Sequence, residues 1–94
     1  MDLQLSGKRA LVTGASQGIG AVIARHLAAE GCALAISARS AAKLDMLADE
    51  VREAHGVKVD IIPLDLAIPG NAETLAERAG SVDILINNAG AIPA

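Results

Sequence analysis

Three closely spaced glycines form the part of this 94-residue sequence best suited to chemistry. Gly14, Gly18 and Gly20 follow a short apolar run, Arg9 to Thr13, and precede residues with helical spacing. A strand-to-helix joint that binds a dinucleotide must turn tightly, let its backbone approach a pyrophosphate and pack closely. Side chains obstruct all three, and the helix N-terminus offers free N–H groups to phosphate. The pattern predicts a dinucleotide-binding loop; the alternative is a tight turn without a ligand.

The end of the second predicted strand bears on the choice of nucleotide. An acid at this place accepts hydrogen bonds from the ribose 2′-OH of NAD and repels the 2′-phosphate of NADP. This sequence has Ala38, Arg39 and Ser40 there, with no acid. A guanidinium can bind phosphate in bidentate fashion, and Ser40 could add a hydroxyl. The sequence therefore favours NADP over NAD. The alternative for Arg39 is a solvated arginine at the start of the helix. Lys43 could reach the phosphate edge, although a solvated lysine is the simpler expectation.

Three motifs in register resemble the short-chain dehydrogenase/reductase family, and the resemblance covers nearly the whole chain. They are Thr13-Gly14-x-x-x-Gly18-Ile19-Gly20, Asp65-Leu66 and Asn87-Asn88-Ala89-Gly90. The first has a glycine spacing different from the G-x-G-x-x-G of many dehydrogenases. The run from Leu5 to Gly14 also looks like a start typical of this family.

The resemblance implies a role for each of these positions. Around the pyrophosphate and the nearby ribose it places Gly14, Ser16, Gln17, Gly18, Ile19 and Gly20. Asp65 would bind the adenine amino group, and Leu66 would add a backbone contact. Asn87, Ala89 and Gly90 would flank the cofactor ribose and brace the sheet. An ordinary loop carboxylate at Asp65 and a simple turn at Asn87 stay open as alternatives.

One position departs from the family pattern. Many relatives that prefer NADP carry a second basic residue in the glycine loop, where this sequence has Gln17. The predicted 2′-phosphate site therefore has one cation, Arg39, instead of two.

The resemblance also implies a reaction, which is hydride transfer between nicotinamide and a carbonyl or alcohol carbon. Its catalytic tyrosine, lysine, serine and asparagine would all lie beyond the Asn-Asn-Ala-Gly motif, and this sequence has no tyrosine. We expect residues 1–94 to be the N-terminal part of a dinucleotide-binding domain, with no catalytic residue and no activity alone. The complete enzyme would bind a small carbonyl or alcohol substrate and form a homo-oligomer. The alternative is a non-catalytic nucleotide-binding or interaction module that requires a partner.

The elements that must position these residues alternate along the chain. Apolar runs predict strands at 9–13, 33–38, 58–64 and 82–87, with a helix between each pair. This order predicts an α/β, Rossmann-type parallel sheet with strand order 3-2-1-4, as an incomplete doubly wound fold. Two helices would cover one face and the short third helix the other. The fourth strand would be an apolar edge.

Helical spacing also predicts which residues face the core. These are Ile19, Val22, Ile23 and Leu27, with Ala24 and Ala28 beside them, in the first helix; Leu44, Leu47, Ala48 and Val51 in the second; and Leu75, Ala76 and Ala79 in the third. Ser40 should begin the second helix, and Gly31, Gly56 and Gly80 should end the three helices.

Composition excludes several other functions. The net charge of −3 and the lack of a basic patch argue against nucleic-acid binding. The first residues lack the basic start and apolar stretch of a signal peptide, and no apolar run reaches about 18 residues, so we expect no membrane segment and a cytoplasmic protein. His26 and His55 lie apart from any cluster with metal-ligand spacing, which predicts no metal site. The lone Cys32 lies in an apolar run and is expected to be a small buried residue.

Overall fold

The chain forms a parallel sheet in the computed structural model, which describes residues 5–88. The strands in this range are β1 Arg9–Thr13, β2 Ala33–Ala38, β3 Val59–Pro63 and β4 Ile84–Ile86; the helices are α1 Gly18–Ala29, α2 Ala41–His55 and α3 Asn71–Ala79. The strands lie in the order β3-β2-β1-β4, as predicted. Val12 of β1 lies opposite Ile36 of β2 and Ile86 of β4. β3 and β4 are shorter than the sequence predicts.

The two faces of the sheet bury separate apolar cores, as the alternation of side chains along a strand requires. Ala10, Val12, Leu34 and Ile36 pack against α1 and α2. The intervening residues Leu11, Ala35 and Ile62 face the other way and pack against Leu75 and Ala79 of α3. The prediction that two helices cover one face and the third covers the other is confirmed.

The buried face of α1 differs from the predicted one. The residues it buries are small: Gly20, Ala21, Ala24 and Ala28. Ile19 and Val22 were expected to face the core but are 69% and 48% exposed. Small side chains allow the helix to approach the sheet closely, and that close approach outweighs the area that Ile19 and Val22 would bury. Ile23 and Leu27 are only partly buried.

The predicted core face of α2 is confirmed, because Leu44, Leu47, Ala48 and Val51 are all buried. Ser40 begins this helix: its hydroxyl oxygen accepts a hydrogen bond from the Lys43 N–H at 3.2 Å. Gly56 ends it in the left-handed conformation, with φ of 67°.

The prediction for α3 is wrong at one residue, since Ala76 is exposed. Leu75 and Ala79 are one turn apart and form a narrow buried stripe. Ala76 instead lines an open groove of about 230 Å³ between α3 and β4. On the edge strand β4, Leu85 borders the same groove and is 61% exposed.

None of the helices within residues 5–88 has the length and apolar character needed to cross a membrane.

Candidate functional site

The residues singled out in the sequence gather at one edge of the sheet. β1 to β4 end at Thr13, Ala38, Pro63 and Ile86, and all four strands are parallel. The glycine loop, Arg39, Asp65 and Asn87 follow these ends within a few residues. In open α/β sheets, the crevice outside the carboxyl ends of the strands is where ligands bind.

The glycine loop is held tightly between β1, β2 and α1. Gly14 and Gly18 have φ of 62° and 60°, a conformation that side chains disfavour. The Ala15 N–H donates to the carbonyl oxygen of Ser37 at 3.2 Å, which ties the loop to β2. A Cβ on Gly20 would lie 2.8 Å from the carbonyl carbon of Gly14 and closer still to its oxygen. Glycine is therefore required at position 20 for the helix to pack on the loop.

The N-terminus of α1 is open. Gln17 is the N-cap residue and its backbone is extended, but its side chain makes no capping hydrogen bond. The first turn carries no acidic residue, and Gln17, Gly18 and Ile19 are all exposed. Ser16 is partly buried beside them. Uncapped N–H groups and the positive end of the helix dipole can therefore meet an anionic ligand here.

Arg39 lies immediately after β2 and is exposed. Its guanidinium makes no hydrogen bond or ion pair with any other residue of the described range 5–88. The Ser40 hydroxyl accepts the capping hydrogen bond of α2, so its own hydrogen remains to be donated. These two residues present one positive charge and one hydroxyl donor at the carboxyl end of β2.

A contact across the crevice was missed by sequence reasoning. The Lys43 ammonium, in the first turn of α2, donates to the Gln17 side-chain oxygen at 2.9 Å. The two residues are 26 positions apart, so no local spacing could indicate that they meet. The contact joins the glycine loop to the helix that follows Arg39.

Asp65 forms part of the turn that leads into α3. One carboxylate oxygen of Asp65 accepts a hydrogen bond from the Ala67 N–H at 2.9 Å. The backbone carbonyl of Asp65 accepts one from the side-chain amide of Asn71 at 2.8 Å. The other carboxylate oxygen makes no hydrogen bond within residues 5–88. Leu66 is partly buried and packs against the core beneath α3.

The ends of β1 and β4 are joined through Thr13. Its hydroxyl donates to the Asn87 side-chain oxygen at 2.9 Å and accepts from the Asn88 N–H at 2.9 Å. Thr13 is only 3% exposed, so this bridge lies beneath the site. Thr13 belongs to the glycine motif, but no role was predicted for it; the available signal was a polar residue at the end of an apolar strand. Ala89 and Gly90 lie outside the described residues.

Arg25, Glu50 and Cys32 have shifted pKa values and lie away from this edge. Arg25 of α1 and Glu50 of α2 form an ion pair with the Arg25 Nε 2.5 Å from a Glu50 oxygen. Their hydrogen bond is the main cause that raises the pKa of Arg25 and lowers that of Glu50. Cys32 is fully buried, as expected, and desolvation is the main cause that raises the pKa of its thiol. Among residues 5–88, no group of three potential ligands is arranged to hold a metal ion.

Known proteins are similar to this chain in sequence and in fold. A family model described as short chain dehydrogenase matches residues 8–94. L-xylulose reductase from Bos taurus is 45% identical over 89 residues, covering 95% of this chain and 34% of that protein. Gluconate 5-dehydrogenase from Gluconobacter oxydans (strain 621H) is 45% identical over 91 residues, covering 92% and 35%.

Two solved structures have a similar fold. L-sorbose reductase from Gluconobacter frateurii, complexed with NADPH and L-sorbose, superposes with a TM-score of 0.91 at 39% identity. A short-chain dehydrogenase from Sphingobium yanoikuyae, in complex with NADPH, superposes with a TM-score of 0.83 at 40% identity. The matches cover 97% and 88% of this chain, and 36% and 34% of those chains. The chain therefore spans about a third of the length of these relatives.

Proposed function

We propose, because this chain belongs to the short-chain dehydrogenase family, that residues 1–94 form the cofactor-binding part of an NADP-dependent oxidoreductase. The reaction is hydride transfer between nicotinamide and a carbonyl or alcohol carbon. The observation that carries the choice of cofactor is Arg39, which stands exposed after β2 and has no internal partner among residues 5–88. Similar proteins crystallised with NADPH support the same choice.

The glycine loop fits the pyrophosphate of such a cofactor. Gly20 leaves room for α1 to pack on Gly14, and this places an uncapped helix N-terminus at the crevice. We assign the pyrophosphate and adjoining ribose to Gly14, Ser16, Gln17, Gly18, Ile19 and Gly20. When bound, the nicotinamide supplies the hydride or accepts it.

The remaining groups fit the two ends of the nucleotide. Arg39 and Ser40 would hold the 2′-phosphate, through a guanidinium and a hydroxyl donor. Asp65 retains one carboxylate oxygen for the adenine amino group, and Leu66 lies beside it. Asn87 is held by Thr13 at the end of β4, where it would flank the ribose together with Ala89 and Gly90.

The part played by these residues is to bind and orient the cofactor. Reduction of a carbonyl also requires a proton donor for the developing alkoxide. The carboxylate assigned here, Asp65, belongs to the adenine end, and the resemblance puts the catalytic tyrosine beyond residue 90. We therefore expect a mass-verified sample of residues 1–94 to bind NADPH without reducing carbonyl compounds. Measurable NADPH oxidation by that sample would contradict this part of the proposal.

Cofactor preference is tested by direct binding. NADPH and NADH dissociation constants are measured for the wild type, for Arg39→Asp and for a control, Arg78→Asp, which changes an exposed arginine of α3. We expect the wild type to prefer NADPH. Arg39→Asp should abolish that preference, because a carboxylate repels the 2′-phosphate, and the control should keep it. A wild type that prefers NADH, or an unchanged ratio in Arg39→Asp, would refute the assignment of NADP.

A further inference from the structure

We propose that Lys43 is the second cation of the 2′-phosphate site and that Gln17 holds its ammonium in place. This inference rests on the proposed binding of NADP. A phosphate monoester carries a charge of about −1.5 to −2 at neutral pH, and Arg39 supplies a single positive charge. The glycine loop adds none, since Ser16 and Gln17 are uncharged. The first turn of α2 does add a positive charge, that of Lys43, which lies four residues after Arg39.

The contact between Lys43 and Gln17 decides where the ammonium lies. The Lys43 Nζ lies 2.9 Å from the Gln17 side-chain oxygen, so the positive charge of this α2 residue lies at the edge of the glycine loop. The Ser40 hydroxyl binds the Lys43 backbone N–H, which fixes the turn from which the side chain extends. An ammonium has three N–H donors, so two remain for a phosphate after one is given to Gln17.

Within residues 5–88, no carboxylate neutralises the charge of Lys43. The ion pairs within residues 5–88 use Arg9, Arg25 and Arg52. Lys43 has only a neutral amide oxygen as its partner in that range, although Asp45 follows two residues later. An amide orients an ammonium without neutralising it, so the positive potential at the crevice is kept.

Gln17 is suited to this positioning task. It is the N-cap residue of α1, yet its side chain does not bind the free N–H groups of that helix. Its amide oxygen is therefore available to Lys43. A basic residue at position 17 would instead repel Lys43. The uncharged loop and the lysine on α2 are thus complementary, and the cation missing from the loop is supplied from across the crevice.

The proposal is tested by measuring NADPH and NADH dissociation constants for Lys43→Met, Lys43→Arg, Gln17→Ala and the double variant Gln17→Ala/Lys43→Met. Lys58→Met is the matched control, because Lys58 is an exposed lysine at the opposite, amino end of β3. We expect Lys43→Met to weaken NADPH binding about fivefold, as for an exposed charge pair, and to leave NADH binding unchanged. Lys43→Arg should keep most of the NADPH affinity, and Lys58→Met should keep all of it.

Gln17→Ala tests the positioning role. We expect it to lower the ratio of NADPH to NADH affinity about twofold in the wild type and to leave that ratio unchanged in the Lys43→Met background, because a loss at the shared pyrophosphate cancels in the ratio and residues that act as a unit are not additive. An equal effect in both backgrounds would overturn the role of Gln17. Unchanged NADPH binding in Lys43→Met, or equal weakening of NADPH and NADH, would overturn the role of Lys43.

Failure of this inference differs from failure of the proposed function. If Arg39→Asp removes the preference for NADPH while Lys43→Met does not alter it, NADP binding stands and only the inference on Lys43 falls. If the wild type shows no preference for NADPH, both fall. Melting temperatures of all variants should match the wild type, because Gln17, Lys43 and Lys58 are all exposed.

Discussion

The two ends of the sheet each carry an arginine, and the two differ in what they bind. At the amino end, the Arg9 guanidinium pairs with Asp60 at 2.8 Å and donates to the carbonyl oxygens of Ala79 and Ser81. The Arg9 backbone also exchanges hydrogen bonds with Asp83. Its side chain is 25% exposed and ties β1 to β3 and to the segment between α3 and β4.

At the carboxyl end, Arg39 is exposed and has no such partner in the part of the chain that the structure describes. Lys43, four residues later, binds an amide oxygen and no carboxylate among residues 5–88. Groups of the same chain compensate the charge of Arg9, whereas the guanidinium of Arg39 is left available for the 2′-phosphate of the proposed cofactor. We therefore expect the amino end of the sheet to contribute to stability and the carboxyl end, in the proposed function, to bind the cofactor.

The largest expected effect comes from Gly20, a position where both roles meet. Gly20→Ala places a Cβ against the Gly14 carbonyl, so α1 must move away from the loop. We expect a loss of about 3 kcal/mol in the free energy of unfolding, together with loss of NADPH binding. Chemical denaturation and equilibrium binding measure the two effects. Gly18→Ala is the control: its φ of 60° is strained for alanine but the space is open, so about 1 kcal/mol is expected. Equal losses in the two variants would contradict the close packing at Gly20.

Removing the arginine at the amino end should affect stability alone. Arg9→Met breaks the ion pair with Asp60 and leaves the carbonyls of Ala79 and Ser81 without this donor. We expect the free energy of unfolding to fall by about 2 kcal/mol, with an unchanged ratio of NADPH to NADH affinity. Urea denaturation and cofactor titration test both parts. A change in the cofactor ratio would break the distinction between the two ends.

The arginine at the carboxyl end should show the reverse behaviour. Arg39→Met removes a charge-assisted contact to the 2′-phosphate, so NADPH affinity should fall about tenfold while NADH affinity is kept. The free energy of unfolding should change by less than about 0.5 kcal/mol, because this exposed side chain has no internal partner among residues 5–88. A clear loss of stability in urea denaturation would show that Arg39 serves the fold.

The smallest effect is expected at an arginine that has an internal partner but lies in solvent. The Arg25–Glu50 pair joins α1 to α2, and both side chains are about half exposed, at 47% and 50%. Because the pair lowers the pKa of Glu50, its contribution is present at neutral pH and is lost as pH falls through the pKa of the folded state. After allowance for solvent screening, we expect about 0.3 kcal/mol.

The contribution of this pair to stability is measured with the variant Glu50→Gln. The variant should lose that small contribution at pH 7 and show no difference from the wild type at a pH well below the usual glutamate pKa of about 4.3. Thermal unfolding at both pH values provides the comparison. A difference that persists at low pH would mean that Glu50 contributes by packing and not by charge.

Much of the fold could be predicted because local patterns and sheet geometry are closely linked. The run Ala33 to Ala38 lacks alternation because β2 is a central strand whose two faces are covered, one by α1 and α2 and the other by α3. Ser40 and Gly56 bound α2 through a side-chain cap and a left-handed turn, both of which depend on residue type alone. Alternating strands and helices leave few topologies, and the strand order followed from that restriction.

The candidate site was predictable only in part. The sequence by itself determined that the glycine loop, Arg39, Asp65 and Asn87 follow the ends of parallel strands, and hence that they share one edge. Tertiary structure alone decided that α1 turns Ile19 and Val22 outward, since the approach of Gly20 to Gly14 is a matter of packing distance and not of helical period. It also decided that Arg9 has partners within the chain while Arg39 has none among residues 5–88, and that Lys43 meets Gln17 across 26 positions. Partnership between charges depends on which distant segments the sheet brings together, and periodicity along the chain carries no record of that.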